Sequence, residues 1–289
     1  MLLFDFHRPT TLAETAGLMA ELGEDAELLA GGTSLINMAK LGLAEPQHVI
    51  ALAGVGELQG LRAAPDGGLH LGATVTIRDV ETAAVVRERA PGLAEAAGHV
   101  ATVRIRNQAT VGGNLVHADP NQDLPPMLMV YDAVARISGP AGERSVPVAD
   151  LFLGFYETVV EPDEVLSSVA VPPAAAGLRT GYVKFLPRTK DDYSTIAVAA
   201  GITVDDGRIG HARIAVAGGG STTMRCTAAE EALVGADAGS ASSLAEVAAL
   251  VRDALDPITD ARGSGAYKRE MARVCTERLL QRLASEDVA

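Results

Sequence analysis

Two glycine pairs constrain this chain more than any other feature. One lies in "LLAGGTSLINMAK" (28–40), the other in "ATVGGNLVHADPNQD" (109–123). Each pair stops an apolar run and is followed within two residues by a polar side chain. Glycine reaches positive φ without the roughly 1–2 kcal/mol penalty that a Cβ imposes, and it lets a ligand approach the backbone. Successive amides in such a turn converge into an anion-binding nest, and a helix starting just beyond adds unpaired N–H groups and its positive end. The first segment fits this scheme, with hydroxyls at Thr33 and Ser34 and helical spacing from Leu35. In the second, Thr110 and Asn114 flank the pair. The plainer reading is a turn at each, in a chain with 30 glycines. Neither pair matches G-x-G-x-x-G or the phosphate-loop pattern ending G-K-[ST], so a Rossmann nucleotide site has no support.

Charge and cysteine usage narrow the function. The 289 residues carry a formal net charge of −13, with 22 acids against 10 bases in residues 1–174. That argues against nucleic acid or an anionic membrane as partner, and any phosphate bound there must rely on local amides. No apolar run approaches the roughly 20 residues of a membrane span. The start "MLLFDFHRP" lacks the basic and cleavage pattern of a secretory signal. Cys226 and Cys275 are too few for a disulfide framework or the usual ligand set of an iron–sulfur cluster. The expected compartment is the cytoplasm.

The periodicity predicts an α+β fold. "TTLAETAGLMAELGEDAELLAGG" reads as a capped amphipathic helix, a turn at Gly23 and a short strand. "PQHVIALA" and "GLHLGATVTIRDV" read as strands, the second entering a helix near Ile77, and "PGLAEAAGHVA" as a helix opened by proline. A proline-rich loop "HADPNQDLPP" precedes a helical "MLMVYDA", and strand patterns follow at "VARISG" and "VLSSVAVPP". The linker-like "PPAAAGLRTG" marks a domain boundary. Past it come three strand candidates, "GYVKFL", "TIAVAAGITV" and "ARIAVAGGG", then three helical patterns ending in "YKREMARVCTERLLQRLA".

Other candidate residues have plainer readings. His117 near Asp119 reads as an acid–base group or a loop hydrogen bond. Arg104 and Arg106 in "VRIRN" read as phosphate contacts or a solvated strand edge. The two cysteines read as buried apolar groups, and the histidine spacing predicts no metal. The polar face of "ERLLQRLA" is open to a partner subunit or simply to water.

The segments "AGGTSL" and "IRNQATVGGNLVHADPNQDLP", with "YVKFLPRTKDDYSTIAVAAGITVDDGRI" and "DPITDARGSGAYKREMARV" following in order, resemble the FAD-binding medium subunit of molybdenum hydroxylases. That family includes carbon monoxide, xanthine and nicotine dehydrogenases. The resemblance implies a two-part FAD-binding domain of the PCMH type over 1–174, with subdomains of roughly 1–54 and 55–174. A C-terminal domain with a three-stranded sheet and helices, of the CO dehydrogenase flavoprotein type, is implied over 178–286. It implies FAD, held without a covalent link. Gly31, Gly32, Thr33 and Ser34 of one loop and Thr110, Gly112, Gly113 and Asn114 of the other would enclose the diphosphate and adjoining sugar, with Ala30, Leu35, Val111 and Asp119 also in the cofactor site. Asp123 matches the acid that bonds a sugar or ribityl hydroxyl. Lys184 and Tyr193 match positions beside the isoalloxazine ring. Without the resemblance, Tyr193 reads as a half-buried tyrosine at a strand end.

The function so implied is electron transfer. [2Fe–2S] clusters on a small partner subunit and a molybdopterin cofactor on a large one would feed this FAD, which delivers electrons to an external acceptor. The expected assembly is a dimer of heterotrimers, and no side chain of this chain is expected to act as a catalytic nucleophile or base. The rivals are a free-standing FAD oxidase or dehydrogenase and a non-enzymatic flavin-binding assembly module. The family shows A-G-G-H-S in its carbon monoxide branch and A-G-G-T-D in others; the A-G-G-T-S here lies between them and assigns no substrate.

Overall fold

The computed structural model describes residues 4–189 and 191–285; position 286, the expected end of the C-terminal domain, lies outside them. The chain opens with β1 (Asp5–His7), α1 (Leu12–Leu22), β2 (Ala26–Leu29), α2 (Leu35–Lys40) and β3 (His48–Ala51). These strands are parallel in the order β1-β3-β2. Parallel neighbours need crossovers, and α1 and α2 supply them. The Thr11 hydroxyl caps α1 by accepting from the Glu14 amide at 3.1 Å, and Gly23, at φ 56°, ends it as the turn the sequence predicts. The first glycine pair therefore leaves the carboxyl end of β2, the side on which open parallel sheets hold ligands.

Next come β4 (Leu61–Ala63), β5 (Leu69–Gly72), α3 (Ile77–Thr82), α4 (Ala84–Arg89), α5 (Pro91–Gly98), α6 (Val103–Arg106), α7 (Val111–His117), α8 (Leu124–Val130), β6 (Val134–Gly139), β7 (Gly142–Pro147), β8 (Phe152–Gly154), β9 (Glu157–Thr158) and β10 (Val165–Val171). An antiparallel sheet in the order β4-β5-β10-β6-β7 forms the platform, with β8 and β9 as a separate small ribbon. Helix α8 starts earlier than the sequence suggests. Pro125 and Pro126 sit in its first turn, where a missing N–H costs no helical bond.

The remainder is β11 (Arg179–Phe185), β12 (Ile196–Asp205), β13 (Arg208–Ala217), β14 (Met224–Arg225), α9 (Thr227–Leu233), α10 (Ala241–Ala254) and α11 (Gly265–Ser285). The three predicted strands form an antiparallel sheet in chain order, extended by the two-residue β14, too short to leave a pattern.

Strand β12 shows why its sequence is apolar on both faces. Ile196, Val198, Ala200 and Ile202 enter the core formed with α9, α10 and α11. Ala197 and Ala199, one residue out of phase, enter the other core with α8 and α5. A sheet covered on both sides has no water-facing register. The α8 face is lined by small residues because the helix lies close: a Cβ on Gly201 would come within 2.8 Å of Val130 Cγ1.

Candidate functional site

The four paired glycines serve different needs. Gly32 is the member with positive φ, 72°. Gly31 is required by contact, since a Cβ there would overlap the Gln108 carbonyl oxygen. The amides of Gly31, Gly32, Thr33, Ser34 and Leu35 make no hydrogen bond within the described chain. Five successive unpaired N–H groups are donors of the kind that can hold an anion.

The second pair behaves otherwise, and the expectation of a matching turn with converging amides is corrected. Gly112 and Gly113 lie inside α7, without positive φ. Their amides are engaged, Gly112 N–H with the Ala73 carbonyl at 2.8 Å and Gly113 N–H with the Thr110 hydroxyl at 3.1 Å. A Cβ on Gly112 would lie 2.7 Å from Ala73 Cβ, and one on Gly113 3.5 Å from Ala30 Cβ. Gly112 thus permits close packing on Ala73, while a Cβ on Gly113 would meet the first loop at ordinary contact distance and press only on Thr110 Oγ1, at 3.0 Å.

One cavity of about 520 Å³ unites most of the predicted residues: Ala30 through Leu35, Thr110, Gly112, Gly113, Asn114, Asp123, Lys184 and Tyr193 all line it. Val111 and Asp119 do not. The Val111 side chain is buried in the core. The Asp119 carboxylate accepts from the Asn121 amide at 2.9 Å and from the Tyr156 hydroxyl at 3.2 Å. His117 lines the cavity with its ring 5.2 Å from that of Tyr156, so the suggested hydrogen bond to Asp119 gives way to ring packing. Burial lowers the His117 pKa, partly opposed by Asp119, and favours the neutral ring.

Two side chains mark where a ligand's polar groups belong. Asn114 Oδ1 and Gln122 Oε1 are buried against the cavity without a hydrogen-bond partner. An orphaned buried acceptor costs about 1–3 kcal/mol, a cost that a polar ligand in the cavity relieves. Gln122 was not predicted; its only signal was its place beside Asp123 in "NQDLP". Unpaired amides for anionic oxygens, orphaned amide side chains for hydroxyl or ring donors, and a partly apolar wall form a set that fits FAD.

At one end of the cavity, Asp123 already has two protein partners. Its Oδ2 meets Lys184 Nζ at 2.9 Å and its Oδ1 accepts from the Tyr182 hydroxyl at 2.6 Å. Burial pushes the Asp123 carboxyl up, opposed by Lys184 and Tyr182, which bind its charged form. Tyr193 is 43% exposed, and Arg262 sits 5.5 Å from its ring centre. Burial of the remainder raises its phenol to about 12, so it stays neutral. It lies in the loop before β12.

Arg104 and Arg106 are corrected on both earlier readings. They lie on helix α6, because Thr102 caps the segment through the Ile105 amide. Arg104 is exposed. Arg106 is buried, its guanidinium bound to Glu81 at 2.8 Å and to the Val100 and Ala101 carbonyls. Arg106→Ala is therefore expected to cost about 1–3 kcal/mol of stability, since Glu81 keeps only Arg78 and the Val100 and Ala101 carbonyls lose their donor, while the ligand affinity of the folded fraction stays unchanged. Urea unfolding and ligand titration check this; weaker binding at unchanged stability would restore the phosphate reading. Cys226 and Cys275 are buried free thiols, raised by burial to about 12 and about 11, hence unreactive. No helix of the described residues is long and apolar enough to cross a membrane.

Two family models cover the chain. The FAD binding domain in molybdopterin dehydrogenase matches residues 2–174, and the CO dehydrogenase flavoprotein C-terminal domain matches residues 181–283. The carbon monoxide dehydrogenase medium chain of Hydrogenophaga pseudoflava is 35% identical over 278 residues, 96% of each chain. The xanthine dehydrogenase FAD-binding subunit of Escherichia coli O157:H7 is 29% identical over 282 residues, again 96% of each. Among solved structures, carbon monoxide dehydrogenase from Hydrogenophaga pseudoflava superposes with a TM-score of 0.94 at 35% identity, covering 97% of both chains. Quinoline 2-oxidoreductase from Pseudomonas putida 86 gives 0.91 at 32% identity, covering 97% of this chain and 96% of its own.

Proposed function

Because the chain belongs to the FAD-binding medium subunits of molybdenum-dependent dehydrogenases, we propose that it is the exit point for electrons in such an enzyme. They would arrive from [2Fe–2S] clusters on a small partner subunit, after substrate hydroxylation at molybdenum on a large one, and leave to an external acceptor. We place the assembly in the cytoplasm as a dimer of heterotrimers. The FAD-binding part is read as 1–174 and the C-terminal part as 178–286; the second hydrophobic cluster lies wholly within the latter, while the first also takes in Tyr182, Ala197, Ala199, Ala215 and Ala217 where the two parts pack together.

The observation that carries this reading is the cavity with two orphaned amide side chains and five unpaired backbone amides. When bound, FAD supplies the one- and two-electron chemistry. The chain supplies the rest. The amides of Gly31 to Leu35 and the hydroxyls of Thr33 and Ser34 would bind the diphosphate, stabilising its charge by hydrogen bonds without a cationic side chain. Asn114 and Gln122 orient the sugar and ribityl part. Tyr193 would cover one ring face and limit water and oxygen, and the Asp123–Lys184 pair would stand beside the ring. No residue acts as nucleophile or general base.

Stopped-flow absorbance tests the reading. The isolated flavoprotein should stay oxidised when mixed with the organic substrate of the complex. Adding the cluster and molybdenum subunits should give substrate-dependent bleaching of the flavin band. Rapid bleaching of the lone chain by the organic substrate would instead favour a free-standing oxidase.

A further inference from the structure

Beneath the FAD cavity a buried tyrosine has no part in the binding scheme above. Tyr182 of β11 is 2% exposed, its ring 5.5 Å from that of His99. Its hydroxyl donates to Asp123 Oδ1 at 2.6 Å. Lys184, two residues along the same strand, donates to Asp123 Oδ2 and to the His99 carbonyl, both at 2.9 Å. Residues two apart on a strand share a face, so β11 grips both oxygens of a carboxylate carried at the start of α8. Lys184 and Asp123 line the cavity; Tyr182 does not.

Assuming the FAD reading above, we propose that Tyr182 is a positioning residue. By holding Asp123 Oδ1, it keeps the carboxylate charged and opposite Lys184, so that the cavity carries a balanced ion pair instead of a lone ammonium beside the flavin. A hydrogen bond to a charged group is worth roughly ten- to a hundredfold in an equilibrium. Loss of the hydroxyl would shift Asp123 toward its neutral acid by that factor, since burial already opposes its charge. Three further groups act on this cluster, Glu95 electrostatically on Tyr182, Tyr193 electrostatically with Asp123, and the His99 ring by packing. A neutral Asp123 would leave the Lys184 charge uncompensated. A cation near the ring favours the electron-rich reduced flavin, so the flavin midpoint potential should rise.

The test uses the assembled holoenzyme and reads the potential by spectroelectrochemistry, with bound FAD measured by absorbance after denaturation. Tyr182→Phe should keep its FAD and shift the potential upward. Asp123→Asn, which removes the charge at constant size, should shift it in the same direction. In the Asp123→Asn background, Tyr182→Phe should add no further shift, because the hydroxyl then has no charge to hold. An unchanged potential in Tyr182→Phe overturns the proposal, and so does an equal shift in both backgrounds. If Tyr182→Phe fails to fold, an unchanged potential in Asp123→Asn overturns it alone. Wild-type enzyme that carries no FAD on this chain would instead refute the reading on which the proposal rests.

Discussion

Gly31→Ala is expected to strip FAD from the protein, with a loss of affinity of roughly a hundredfold or more, equivalent to about 3 kcal/mol. The added Cβ would overlap the Gln108 carbonyl oxygen and approach the Gln108 carbonyl carbon at 2.7 Å. Neither is the end of a flexible side chain, so the loop at 30–35 must move away from the loop at 108–114. Both segments, the second of which runs into the first turn of α7, line one cavity, and overpacking of this kind also costs about 1–3 kcal/mol of stability. Gly32→Ala should act through its positive φ and weaken binding about tenfold, in line with a strain of about 1–2 kcal/mol. Gly113→Ala should do less, because its φ is not positive and its amide is already bonded to Thr110. Flavin content after gel filtration, with thermal unfolding and Cys226→Ala as reference, checks the order. Gly31→Ala protein with wild-type flavin content and stability would show that the loops are free to separate without consequence.

Asp123→Ala is expected to lower stability by about 3–5 kcal/mol, the scale for leaving a buried charge without its partner. The Lys184 side chain is 2% exposed and would keep only the His99 carbonyl as a recorded partner. Replacing both, as Asp123→Ala with Lys184→Met, should recover much of that loss, since an apolar pair of similar volume leaves no charge to desolvate. Urea unfolding at neutral pH reads all three proteins. A single substitution as mild as an exposed alanine change would mean that the ammonium reaches water by another route.

Much of the architecture was legible locally. Helical spacing and a capping threonine announced α1, and proline at N1 announced α5. The long apolar strand β12 and the second half of β13 stood out because burial on both faces leaves few polar interruptions. Short elements did not stand out. β14 has two residues and β9 two, and α6 has four, so its alternating Val-Arg-Ile-Arg reads as a strand until Thr102 is seen to cap it.

The sequence by itself determined the order of the longer elements, the two polar-flanked glycine pairs, the family, and the poverty of cationic side chains near the first of those pairs. Apart from the family, which rests on the resemblance of its motifs, each follows from local composition and periodicity, which neighbours along the chain fix. Only the tertiary structure decided what each glycine is for. Gly31 meets Gln108, and Gly112 meets Ala73, across long stretches of chain, and no local rule carries that distance. It also decided that Arg106 belongs to Glu81 and that Asp123 is held by Tyr182 and Lys184 from another sheet. A side chain's charge is written in its own letter, but its partner is set by where packing brings the other elements. The same Arg, Asp or Gly therefore reads as a ligand contact or a structural necessity until its neighbours are in place.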